Sequence, residues 1–161
     1  MLDYPFMVRH SRKDIRKNPA LKGKDIETTK KACAKFKEHP TTVMNFTEGT
    51  RFTEAKRIRQ NSPYQHLLKP KAGGLAIVVN EMKDHLAGIL NVTIHYSEPK
   101  MTFWKLVSGN FEKATICYEL IPITADLLGD YNGDREFRSH FQQWLNGVWA
   151  RKDQHLDNAK Q

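Results

Sequence analysis

Thr41-Thr42-Val43-Met44-Asn45-Phe46-Thr47-Glu48-Gly49-Thr50-Arg51 is the stretch on which the fold reading turns. Pro40 closes whatever helix comes before it, and the β-branched residues that follow predict a strand ending at Phe46. Upstream, residues 25–38 read as a short helix with Ile26, Cys33 and Phe36 near one face and Lys30, Lys31, Lys35 and Lys37 mostly away from it. The segment through Gly23 is basic and loop-like. Downstream, Thr47 to Pro70 is polar and too long for a tight connection, and structureless loops of that size usually carry function. Leu75, Val78, Val79, Met82 and Leu86 then form a helical stripe over 72–87, opened by Gly73-Gly74 and stopped by Gly88. Ile89–Tyr96 predicts a second strand and Ala114–Ile123 a third. Phe137, Phe141, Trp144, Leu145 and Val148 line one face of a C-terminal helix over 134–150. Strand, helix, strand in this order implies a parallel β–α–β unit with a right-handed crossover. The expected architecture is therefore α/β, a mostly parallel central sheet flanked by helices. Ligands in such sheets bind beyond the carboxyl ends of the strands, where the bend after Phe46 would lie.

The chain has 161 residues, enough for one ordinary domain and too few for an eight-fold α/β barrel. Hydrophobic residues at 39% and charged residues at 27% are compatible with a buried core. Two cysteines, Cys33 and Cys117, make neither a disulfide framework nor a thiolate metal site; both sit in apolar-periodic contexts and are expected in the core. No apolar run approaches the ~20 residues of a spanning helix, mean hydropathy is −0.65, and the first residues show no secretory signal. Without such a signal, the Asn-x-Thr triplets at 45–47 and 91–93 read as chance. Net charge is +8, placed unevenly: residues 1–71 hold 17 Lys and Arg against 7 acidic residues, and residues 72–161 hold 9 against 11. The basic half is suited to phosphates, whether on nucleic acid, anionic lipid or a small substrate.

The bend has a chemistry of its own. Gly49 lets backbone amides approach a ligand, Thr50 offers a hydroxyl, and Arg51 offers a planar fork matched to phosphate oxygens. Glu48 is placed to hold that guanidinium or to accept from a substrate hydroxyl. Lys69 and Lys71 precede the Gly73-Gly74 helix start and add a second anion-attracting element. The bland alternative is an ordinary turn with a solvated arginine.

Phe46–Arg51 resembles the F-P-E-G-T-R block of the PlsC-type glycerolipid acyltransferases. Phe6-Met7-Val8-Arg9 is similar to the family's second block, whose arginine helps hold the acceptor phosphate. Lys69-Pro70-Lys71-Ala72-Gly73-Gly74-Leu75-Ala76 looks like the Lys-x-Gly stretch that follows, and Ile89–Ile94 falls where the fourth block's strand belongs. Ser62-Pro63-Tyr64-Gln65-His66-Leu67-Leu68-Lys69-Pro70-Lys71 looks closest to the bacterial YihG-type branch. The resemblance covers essentially the whole chain. It implies one acyltransferase domain over 1–161 that moves an acyl group from an acyl-CoA or acyl-carrier-protein thioester, without a further cofactor or metal, to a lysophospholipid such as lysophosphatidic acid. It further implies phosphate contacts from Arg9, Gly49, Thr50, Arg51, Lys69, Lys71 and Gly73, with Glu48 in support. Its setting would be phospholipid biosynthesis at the cytoplasmic face of a bacterial inner membrane, with no nucleic-acid partner.

Two departures stand out. Thr47 replaces the usual proline, a change a turn absorbs. More seriously, the family's first block, a histidine and an aspartate separated by four residues, supplies the general base and is absent: none of the seven histidines has an aspartate five positions on. The nearest imitation, His10 with Asp14, is one residue short and on the wrong side of the second block. The expectation is a chain missing the catalytic block and the membrane segment, inactive by itself. Asp130-Tyr131-Asn132-Gly133-Asp134 fails as a calcium loop, having Arg135 at the sixth position and Phe141 at the twelfth, and predicts a turn. Phe103-Trp104 and Val107 form a membrane-contact or acyl-pocket group. Competing readings are a non-catalytic module binding anionic lipid or phosphate, and nucleic-acid binding, which only the pI near 9.5 favours.

Overall fold

The computed structural model describes residues 17–18, 24–37, 42–97, 102–110 and 112–159. They fall into two compact units. The first draws on Met1–Gly49, Lys71–Leu86 and Ile123–Gln142; the second draws on Thr50–Pro70, Ala87–Pro122 and Gln143–Gln161.

In the first unit, helix α1 (Lys24–Phe36) packs against a helix at Ala72–Glu81. Their seam is apolar: Cys33, Val78 and Met82 form a buried cluster, closed by Phe36, Val43 and Leu86. Lys30 and Glu81 bridge the same pair of helices at 3.1 Å. The Ala72–Glu81 helix buries Ala72, Ala76, Ile77, Val78 and Val79, so it is covered on more than one side. The sequence stripe runs to Leu86, yet the helix stops at Glu81 and a turn over 82–85 returns Leu86 to the cluster. A 3₁₀ turn at Ala125–Leu127 buries Leu127 against that helix, and Phe141 is fully enclosed beside Tyr131 and Phe137.

The second unit begins with α2 (Glu54–Arg59), whose N-cap Thr53 accepts from the Lys56 amide and whose Glu54 accepts from Arg57 Nε at 2.9 Å. The Ala72–Glu81 helix is α3 in chain order. Strand β1 (Ile89–Tyr96) pairs with β2 (Ala114–Ile121), joined through the short helix α4 (Phe103–Val107). The last helix, α5 (Arg135–Asn158), gives its later turns to this unit and extends past the expected 150. The extension has partners: Lys152 Nζ donates to Val92 O at 2.6 Å and Asn91 Oδ1 at 3.1 Å, and Arg151 meets Glu119 at 3.6 Å. These polar ties lie outside the apolar stripe that the periodicity reads.

The expected mostly parallel sheet is overturned. The only sheet among the described residues has two strands, β1 and β2, and they run antiparallel in an unbroken register from Ile89↔Ile121 to Tyr96↔Ala114. The protein is helix-rich. Residues 42–46, the expected first strand, have no regular structure and no ladder partner there. The period-2 pattern survives without the sheet: Val43 and Asn45 turn inward, while Met44 and Phe46 are exposed. β-branched residues favour extended backbone but do not supply a neighbouring strand, and Val43 satisfies its burial against helices instead. With no first strand, no β–α–β crossover forms. No helix among the described residues is long and apolar enough to cross a membrane.

Candidate functional site

The bend after Phe46 forms as a closed turn. The Gly49 amide donates to Phe46 O at 2.8 Å, and Gly49 adopts φ 70°, a left-handed conformation that penalises any Cβ. The Lys71 amide donates to Thr47 O at 2.8 Å, so the start of α3 is tied to the bend within the first unit. Glu48 is half-buried there, and the Lys71 side chain is exposed at the N-cap of α3. Gly73 has a packing duty: a Cβ on it would lie 3.3 Å from Tyr131 Cε1. Thr47 is buried, and its hydroxyl is the one buried side-chain polar atom among the described residues that lacks a hydrogen-bond partner.

Thr50, Arg51 and Lys69 belong to the second unit, and all three are exposed. Lys56 Nζ donates to Thr50 Oγ1 at 2.8 Å and to Arg51 O at 3.0 Å, so one ammonium clasps the end of the block. The Arg51 guanidinium makes no hydrogen bond or ion pair among the described residues. Arg9 and His10 lie outside the described residues.

Sequence reading missed Lys56, although its place is legible: it follows the helix-capping Thr53 by three residues, on the first turn after the block. It also missed a cluster around His66. Asp153 accepts the amides of Gln65 and His66, both at 2.8 Å, and His66 Nε2 lies 2.7 Å from Asp157 Oδ1. Tyr64 donates its hydroxyl to Asn146 O at 3.1 Å. Burial and then the nearby Asp153 charge push the Tyr64 phenol above its ordinary pKa. Asp153 and Asp157 are one helical turn apart, the only hint in the sequence, since their partners stand some 87 to 91 positions away. This cluster fastens residues 62–68 to α5.

The first unit contains a cleft of about 140 Å³ lined by Lys30, Asn80, Glu81, Asp130, Tyr131 and Asn132 among others. None of the expected site residues lines it. The amides of Gly133 and Asn132 hold the Asp130 carboxyl below its usual range, with Lys30 and Arg138 adding smaller pulls. Residues 131–133 form the expected turn, and Asp134 Oδ1 accepts from the Glu136 and Phe137 amides to start α5. Among the described residues no group of three His, Cys, Asp or Glu side chains is placed to hold a metal ion. Cys33 is buried in the core as expected, and burial raises its thiol pKa; Cys117, expected in the core, is exposed on β2. Compared with protein-family models, curated proteins and solved structures, the chain matches none of them.

Proposed function

We propose that this chain carries the acceptor-phosphate part of a PlsC-type glycerolipid acyltransferase. In that reaction a lysophospholipid hydroxyl attacks the carbonyl of an acyl-CoA or acyl-carrier-protein thioester; the new ester bond forms, the thiolate leaves, and a base takes the hydroxyl proton. Arg51 would grip the acceptor phosphate through its planar fork, Lys71 and Lys69 would add charge, and Glu48 would support the bend. Arg9 completes this set by resemblance to the family's second block. The observation that supports the reading is the Thr47–Lys71 hydrogen bond: it joins the two stretches the resemblance singles out, at a bend whose left-handed Gly49 favours glycine. Such an enzyme would work in phospholipid biosynthesis at the cytoplasmic face of a bacterial inner membrane. None of the seven histidines supplies the His-x₄-Asp base, so acyl transfer by this chain alone should be slower by about 10²–10⁴-fold.

Calorimetry with short-chain lysophosphatidic acid tests the phosphate role. Arg51→Ala should weaken binding ~10-fold, the scale of one lost charge-assisted contact. Equal binding by the variant removes Arg51 from the site, and robust acyl transfer by this chain alone refutes the missing base. The uneven positive charge favours a second reading, a non-catalytic module for anionic lipid or phosphate. That module would bind any anion, losing affinity steeply with salt and without regard to the glycerol headgroup.

A further inference from the structure

The β1–β2 hairpin has two unlike faces. Asn91 and Glu119 lie on one, and they take the polar ties from Lys152 and Arg151 of α5. On the other face the paired residues are Leu90–Leu120, Val92–Tyr118, Ile94–Ile116 and Tyr96–Ala114, without a single charge. Six of the large side chains are exposed, from 39% for Val92 to 76% for Tyr118. A two-stranded sheet is marginal by itself and gains stability only when an apolar face is packed.

We infer that this face is the interface of a symmetric dimer, its occupant a second copy of the same hairpin. Area and self-complementarity point to this occupant, independently of the function proposed above. Scaled by ordinary residue areas, the six exposed side chains offer roughly 700 Å² per copy, close to the ~800 Å² per partner of a standard interface. The largest apolar patch on a typical monomer is ~300–600 Å². A two-fold axis near Val92, Ile94, Ile116 and Tyr118 stacks the face on its own copy as a two-layer sandwich ~10 Å thick. Because the face is uncharged, the stack brings no like charges together. Tyr118, large and near the centre, is the anchor.

Sedimentation velocity of the full chain over a range of concentrations reads the association directly. The expected result is a reversible species at twice the 18.7 kDa monomer mass. Tyr118→Lys should weaken it ~100-fold or more, whereas Trp104→Ser on α4 should leave it unchanged. A gentler variant guards against misfolding: Tyr118→Cys combined with Cys117→Ser should give a disulfide-linked dimer under mild oxidation, since Cys33 is buried. A chain that stays monomeric at every concentration overturns the inference. So does association that survives Tyr118→Lys, or a monomer that instead floats with phosphatidylcholine–phosphatidylglycerol vesicles through this face.

Discussion

Residues 42–46 and Ile89–Tyr96 carry the same local signal, β-branched and alternating, and meet opposite fates. Ile89–Tyr96 is followed by a second extended run that returns through α4, and the two zip together over eight pairs. Residues 42–46 have no such neighbour among the described residues, and Val43 packs against the cluster between α1 and α3. Extended propensity is a request for a partner, and topology decides whether it is met. Burial differs in the same way. Met44 and Phe46 apart, the first unit hides its large apolar side chains around Phe141 and the Cys33–Val78–Met82 cluster, while the hairpin and α4 of the second unit display theirs.

That contrast is sharpest in a pair of truncations. Phe141 is fully buried, so Phe141→Ala should cost ~3–5 kcal/mol, combining lost transfer energy with the cavity left between Tyr131 and Phe137. Trp104 is a larger side chain but 76% exposed, and Trp104→Ala should stay within about 0.5 kcal/mol. Urea unfolding of both variants measures the difference. Comparable losses would mean that α4 is packed after all, and the contrast with Phe141 would fail.

Much of the local structure was legible because it depends on neighbours in sequence. The α3 stripe, the Gly49 bend, the turn at 131–133 and the α5 face all follow from residues within a few positions of one another. The sheet was misread because pairing partners are chosen at a distance: the order of elements implied a crossover, and the strand needed for it did not pair. Cys117 was misplaced for the same reason. On a two-sided buried strand it would be core, but on a hairpin it is exposed. Of the candidate site, the Gly49 bend was anticipated, whereas its hydrogen bond to Lys71, the Lys56 clasp and the Asp153 and Asp157 ties to His66 were not.

The tie between residues 62–68 and α5 should show itself at alkaline pH. Burial and the Asp153 charge raise the Tyr64 phenol above its unfolded value near ~10. A group whose folded pKa is raised contributes stability that is fully present below the unfolded pKa and lost as pH rises through the folded one. Stability should therefore decline from about pH 10 upward. Tyr131, raised by burial in the first unit, adds to the same limb. Tyr64→Phe should flatten part of that decline, at a cost of about 1 kcal/mol at neutral pH for the lost bond to Asn146 O. Thermal unfolding from pH 8 to 11 follows both effects. An unchanged alkaline limb in the variant would separate Tyr64 from the transition.

The smallest effect tests the bend itself. Under the proposed reading Thr47 stands where the acyltransferase block has proline, and its buried hydroxyl has no partner among the described residues. A buried donor left unmade is a cost, while an isosteric apolar group carries none, so Thr47→Val should be neutral or stabilise by up to about 1 kcal/mol. Its backbone carbonyl still accepts from Lys71, so the link between the two stretches is kept. A loss beyond about 1 kcal/mol in urea unfolding would show that the hydroxyl holds a hydrogen bond, and the bend would then be a polar site in its own right. The Thr→Pro replacement that restores the family pattern asks a different question, since it also removes the Thr47 amide. Comparing the two separates the cost of the hydroxyl from the value of the backbone at the one position where this chain departs from the block it otherwise resembles.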